Sequence, residues 1–168
     1  MKRFVMVSLL LTMSLFLLLA AGCGKNKLGD QTPTDSDGYG NEQFTPEEQA
    51  AADRISNGII YFAFDSFDLR EDSKNVLTQK ASIMKQYPQL RVVIEGHCDE
   101  RGTEEYNLAL GERRARTAYE FLIRLGVPAS QMEMVSFGKL HPLVMGSGES
   151  SWAQNRRDEF KVTKTGQY

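Results

Sequence analysis

The residues able to do chemistry crowd into one run, Glu95-Gly96-His97-Cys98-Asp99-Glu100-Arg101-Gly102-Thr103, with Arg114 further along the chain. An aspartate in this loop and an arginine three turns down the following helix make a pair suited to a zwitterion. The carboxylate accepts from an ammonium, and the guanidinium grips a carboxylate through parallel N–H groups. Arg114 also has a plainer reading, as an ordinary surface arginine or a structural partner for Asp99. His97 beside Cys98 raises the chemistry of a cysteine peptidase. Adjacent residues of a strand point to opposite faces, however, and a thiol–imidazole pair needs both groups within about 3 Å on one side. Both are expected to pack into the end of a sheet, and no enzyme activity is expected. His97, Asp99 and His141 show no repeated ligand spacing, so neither a metal nor a cofactor is expected.

These groups need a strand and a helix to position them. Leu90 to Glu95 reads as a strand and Thr103 to Leu125 as a long helix ended by Gly126. The loop between them therefore meets the free N–H groups and positive dipole end of a helix, where an anionic group is favoured. At 100° per residue, Thr103, Asn107, Leu110 and Arg114 fall within about 60° of one another on a polar edge. Leu108, Ala115, Ala118 and Leu122 form the buried side, with Glu112–Arg116 and Glu120–Arg124 as pairs outside. Elsewhere, Thr45-Pro46-Glu47-Glu48 starts a helix running to Ile55, and Gly58 to Phe64 is a short apolar β run. Leu69 to Tyr87 is a helix with Val76, Leu77, Ile83, Met84 and Tyr87 on one stripe, stopped by Pro88. Gln131 to Phe137 and Asp158 to Thr163 read as strands, and Trp152 to Arg156 as a helical turn. Trp152, Tyr61, Phe62 and Phe64 are expected in the core rather than on a sugar-stacking platform. Strands alternating with helices predict an α/β (α+β) sandwich, a small mixed sheet with helices packed on one face.

The chain has 168 residues, room for one ordinary domain. Its 20 basic and 22 acidic residues leave a formal charge of -2, so no basic surface exists to track nucleic acid. Two cysteines, Cys23 and Cys98, allow at most one disulfide, and ordinary hydrophobic burial must build the core. Lys2 and Arg3, the apolar run Phe4 to Leu19 and the small residues Ala20-Ala21-Gly22 read as a secretory signal; the run is too short and too interrupted by Ser8, Thr12 and Ser14 for a membrane span. The run ends as Leu19-Ala20-Ala21-Gly22-Cys23, which resembles a bacterial lipobox. That resemblance implies diacylglyceryl transfer to the Cys23 thiol, cleavage before it and acylation of the new amino group, a multi-chain anchor that does not readily release. Cys98 would then have no partner within the chain. Gly24, where Asp would retain a lipoprotein in the inner membrane, favours the outer membrane by analogy. Residues 24–44 are polar and Gly-rich, a tether of roughly 25 Å average span. The expected organisation is a signal at 1–22, a lipidated N-terminus and tether at 23–45, and a domain at 46–168. Removal of the first 22 residues would leave a mildly acidic chain.

Five motifs in order, Tyr61-Phe62-Ala63-Phe64-Asp65, Glu95 to Thr103, Tyr106 to Ala115, Ser136-Phe137-Gly138-Lys139 and Asn155-Arg156-Arg157, resemble the peptidoglycan-associated lipoproteins and the wider family of OmpA-like C-terminal domains. Departures from the family pattern fall at Ala63, Cys98 and Gly111. The resemblance implies a βαβαβ-type domain that binds, without a covalent bond, the diaminopimelate-containing peptide stem of peptidoglycan. Asp99 would take the ammonium of that ligand and Arg114 its carboxylate. Phe64, Asp65, Arg101, Thr103, Asn107, Leu110 and Arg156 would shape the pocket through exposed charged contacts. Removing Asp99 or Arg114 is expected to weaken wall binding and leave the fold intact. The resemblance further implies an outer-membrane, lipid-anchored protein facing the periplasm, with the Tol system's periplasmic propeller protein and other Tol-Pal proteins as partners in cell division. An OmpA-like lipoprotein of another envelope complex would bind the same ligand.

Overall fold

The computed structural model describes residues 44–164. The expected signal, the lipidation at Cys23 and the tether as far as residue 43 lie outside the described residues. In chain order the elements are α1 (Pro46–Ser56), β1 (Ile60–Tyr61), α2 (Glu71–Gln86), β2 (Leu90–His97), α3 (Glu104–Arg124), a 3-10 turn (Ala129–Gln131), β3 (Met132–Gly138), α4 (Glu149–Asn155) and β4 (Arg157–Lys164). The sheet order is β1-β4-β2-β3. β3 runs parallel to β2, and the other two pairs are antiparallel. α3 makes the crossover that a parallel pair requires.

α1 starts on a capping box. Thr45 Oγ1 accepts from the Glu48 N–H at 3.2 Å, and Glu48 Oε2 accepts from the Thr45 N–H at 2.8 Å, satisfying donors that a helix start leaves free. Along β2, Leu90, Val92 and Ile94 are buried while Arg91, Val93 and Glu95 are half-covered. The buried face meets Ile55 of α1, Leu77 and Met84 of α2, Ala115, Ala118 and Leu122 of α3, and Phe160 of β4 in one cluster. The opposite face carries exposed or half-covered residues such as Glu133, Val135 and Lys161. The architecture is the expected mixed sheet with helices on one face. Lys80 is enclosed in this core, its Nζ donating to the Ile55 carbonyl and lying 4.1 Å from the Phe160 ring centre. Burial pulls its pKa down to about 7.

Two glycines set the approach of α3 to the sheet. A Cβ on Gly96 would lie 2.0 Å from the Gly111 carbonyl oxygen, and one on Gly111 would lie 2.3 Å from Ser136 Oγ. Their bare backbones let the helix close on β2 where the chain leaves for the Asp99 loop. Gly111 is thus the residue this contact needs.

Some expected boundaries shift. The β run at 58–64 contracts to Ile60–Tyr61, because β1 pairs only with Asp158 and Arg157 of β4 before the chain turns. β2 continues to His97, since Gly96 pairs with Asp158 and His97 with Gly138. The turn expected from Trp152 is α4, which begins at Glu149. Leu108 is half-buried, and Asn107, Leu110, Gly111 and Arg114 take the inner side of the first half of α3, which faces the loop rather than the apolar core. Glu112–Arg116 forms at 2.7 Å, while Arg124 lies over the Phe121 ring at 5.6 Å. Among the described residues, no helix is long and apolar enough to cross a membrane.

Candidate ligand-binding site at the end of β2

Where β2 ends, Phe64, Asp65, Cys98, Asp99, Arg101, Gly102, Tyr106, Asn107, Leu110, Arg114 and Arg156 enclose a cavity of about 190 Å³. Asp99 and Arg114 are two of its five charged lining residues, beside Asp65, Arg101 and Arg156. Both are buried, at 4% and 1% exposure, as is Arg156 at 5%. The charged contacts expected at the surface are therefore largely withdrawn from solvent, where they interact more strongly than exposed pairs.

Asp99 is already engaged. Arg101 Nε donates to its Oδ1 at 3.0 Å, Arg101 Nη2 to its Oδ2 at 2.6 Å, and the Arg101 backbone N–H to Oδ1 at 3.1 Å. Arg156 Nη1 approaches Oδ2 at 3.3 Å. Burial raises the Asp99 carboxyl, but these bonds from Arg101 and Arg156 outweigh it and hold the group below the usual carboxylate range. The Arg101 guanidinium lies between two aromatic faces, 3.9 Å from Phe64 and 4.0 Å from Trp152. Trp152 is positioned in turn by Glu100, whose Oε1 accepts from the indole N–H at 3.0 Å and from Ser147 Oγ at 2.6 Å. Glu149 of α4 holds Arg156.

Arg114 is the keystone of the corner. Its Nε donates to the Ser66 carbonyl at 2.9 Å, Nη1 to the His97 carbonyl at 2.8 Å and to Cys98 Sγ at 3.4 Å, and Nη2 to the Ala63 carbonyl at 3.2 Å. These bonds use four of the five N–H groups of a guanidinium and leave one, on Nη2, outside these four bonds. These bonds argue against the expectation that Arg114 can be removed without disturbing the fold. It ties the segment after β1 to the end of β2. Asp65, in that segment, adopts a left-handed backbone with φ 52° and accepts from the Tyr106 hydroxyl.

Of the sequence-derived candidates, Phe64, Asp65, Asp99, Arg101, Asn107, Leu110, Arg114 and Arg156 line the cavity. Thr103 does not; it caps α3, its Oγ1 accepting from the Tyr106 N–H at 3.2 Å. Asn107 holds the loop, donating to the Arg101 and Thr103 carbonyls at 2.7 and 2.9 Å. Phe64, at 59% exposure, and half-buried Trp152 are not core residues as expected but the two faces around Arg101. Sequence reasoning missed Tyr106, although it stands four positions before Leu110, where helical side chains meet.

His97 and Cys98 point apart. The imidazole stacks on Phe137 at 5.5 Å, while the thiol donates to the Asn107 carbonyl at 3.3 Å. Burial lowers the His97 pKa to about 4 and raises the Cys98 thiol to about 11. A neutral imidazole turned away from an un-ionised thiol is no nucleophile–base pair.

A model of the OmpA family matches residues 61–156. The peptidoglycan-associated lipoprotein of Pseudomonas aeruginosa is 41% identical over 158 residues, covering 89% of this chain and 93% of the relative. The crystal structure of the peptidoglycan-associated lipoprotein from Burkholderia pseudomallei is 44% identical with a TM-score of 0.63, covering 66% of this chain and 93% of that one. The C-terminal domain of Helicobacter pylori MotB, 20% identical with a TM-score of 0.59 over 63% of this chain and 84% of that one, shares the fold.

Proposed function

The chain belongs to the OmpA family, in the company of the peptidoglycan-associated lipoproteins, and on that premise we propose that it tethers the outer membrane to the cell wall by gripping the diaminopimelate-bearing stem of peptidoglycan in the β2–α3 cavity. The support is one observation: a carboxylate, Asp99, and a guanidinium, Arg114, border the same small cavity. Diaminopimelate carries both complementary charges at its far end. Its ammonium goes to Asp99 in exchange for the Arg101 guanidinium, and its carboxylate to the remaining Nη2 N–H of Arg114 and to Arg156. Neither step makes or breaks a covalent bond.

The same reading gives Cys23 the lipid anchor, residues 24–45 the tether and residues 46–168 the wall-binding domain. It places the protein in the outer membrane facing the periplasm, working with the Tol proteins in envelope constriction at division. The experiment is sedimentation with purified sacculi, with free diaminopimelate as competitor. Wild type co-sediments, free ligand releases it, and Asp99→Asn stays in the supernatant. Wild-type sedimentation by Asp99→Asn removes this cavity as the site, and soluble muropeptides released during incubation would replace binding with hydrolysis.

A further inference from the structure

On the sheet face turned away from the core, three donor groups converge. Glu95 and His97 stand two residues apart on β2, and Glu159 sits directly across from Glu95 on β4. One ligand atom from each lies within 4.8 Å of the others, with His97 Nε2 4.0 Å from Glu95 Oε2. His97 is only 2% exposed, yet neither of its ring nitrogens has a hydrogen-bond partner. A buried polar group left unbonded costs on the order of 1–3 kcal/mol. Like charges set opposite one another across antiparallel strands add to that cost. A cation between the three groups relieves both penalties at once.

We propose that Glu95, His97 and Glu159 form a binding site for a divalent transition-metal ion of the zinc type. One imidazole nitrogen with two carboxylate oxygens suits such an ion. Ca²⁺ takes six or more oxygens, and Mg²⁺ demands near-octahedral geometry and keeps its waters. Zinc bonds of roughly 2.0–2.2 Å set tetrahedral ligand atoms roughly 3.3–3.5 Å apart, so donors that now lie within 4.8 Å of one another must close by up to about 1.5 Å. Rotation of the two glutamate side chains supplies that movement while paired strands fix the backbone. Arg157 and Lys161 hold Glu159 at 2.7 and 2.8 Å. Each carboxylate oxygen keeps a second lone pair, and Lys161, with its side chain 54% exposed, can turn to solvent. Phe137 stacks on the His97 ring at 5.5 Å and helps hold the imidazole in place.

The test titrates the full chain, stripped with EDTA, with Zn²⁺ alone in a calorimeter, beside Glu95→Gln, Glu159→Gln and His141→Ala and with Mg²⁺ as reference. Glu95→Gln keeps the side-chain volume, and metal-free melting curves confirm that each variant folds. The expected result is a single Zn²⁺ per chain, affinity at least about tenfold weaker in both glutamate variants, no comparable Mg²⁺ uptake and Zn²⁺-dependent shifts of the His97 ring resonances. No Zn²⁺ uptake by the wild type, wild-type affinity in either glutamate variant, or uptake lost only in His141→Ala overturns the assignment.

Discussion

Arg101 and Asp99, two residues apart in one loop, are joined by three hydrogen bonds of 2.6 to 3.1 Å. The guanidinium thus occupies the place proposed for the ligand ammonium, clamped by Phe64 and Trp152. Net hydrogen bonds to charged groups are worth about 1.5–3 kcal/mol, so displacing Arg101 subtracts from ligand affinity. Arg101→Ala removes the competitor and is expected to tighten binding of free diaminopimelate about tenfold, or about 1.4 kcal/mol. Trp152 is the sole tryptophan, so a ligand-dependent change in its emission reports the wild-type exchange and is absent from the variant, which has no guanidinium to move off the ring. Weaker binding by Arg101→Ala would instead give Arg101 a direct ligand contact and end the exchange mechanism.

Arg114→Ala strands the Ala63, Ser66 and His97 carbonyls that the guanidinium now serves. With the buried His97 carbonyl unbonded and the loop untied at Ala63 and Ser66, a loss of about 3 kcal/mol is expected in urea unfolding. Asp99→Asn keeps the side-chain shape, and Arg156 retains Glu149, so its loss should stay under about 2 kcal/mol. Equal stability of the two variants would contradict the keystone role of Arg114.

The spacing of Asn107, Leu110 and Arg114 along one helix edge was enough to bring them to the cavity with Asp99, because helical period and strand end are local properties. What Arg114 donates to was not legible: three of its four acceptors are main-chain carbonyls, up to 51 residues away, and any sequence offers carbonyls. The same holds for Trp152, which reaches Glu100 across 52 residues, and for Glu95 opposite Glu159. Both contacts depend on the end of the chain returning as β4 between β1 and β2, an order that periodicity does not contain. Burial of Asp99 and Arg156 follows from the same return.

Gly96→Ala tests the closeness of strand and helix. The added methyl would stand 2.0 Å from the Gly111 carbonyl oxygen, a main-chain atom that cannot rotate away. Overpacking usually costs about 1–3 kcal/mol, and a backbone clash belongs at the upper end. Because the displaced segment leads straight into Asp99, sacculus binding should fall along with the melting temperature. A variant as stable as wild type would mean that α3 can move off β2 freely.

Lys80 gives a pH test with a definite sign. Its folded pKa of about 7 lies below the model-peptide value of 10.5, because burial disfavours the ammonium. Between pH 10.5 and 7 the unfolded chain therefore holds a proton that the folded chain lacks, and stability falls as pH drops through this window. Each unit of separation corresponds to about 1.4 kcal/mol. Below pH 7 both states are protonated and the loss is complete. Lys80→Met fills similar volume without the charge, so urea unfolding should show the variant gaining on wild type by a few kcal/mol between pH 10 and pH 6. A wild-type-to-variant gap that stays constant across that range would mean the ammonium stays charged in the fold, held by the Ile55 carbonyl and the Phe160 ring.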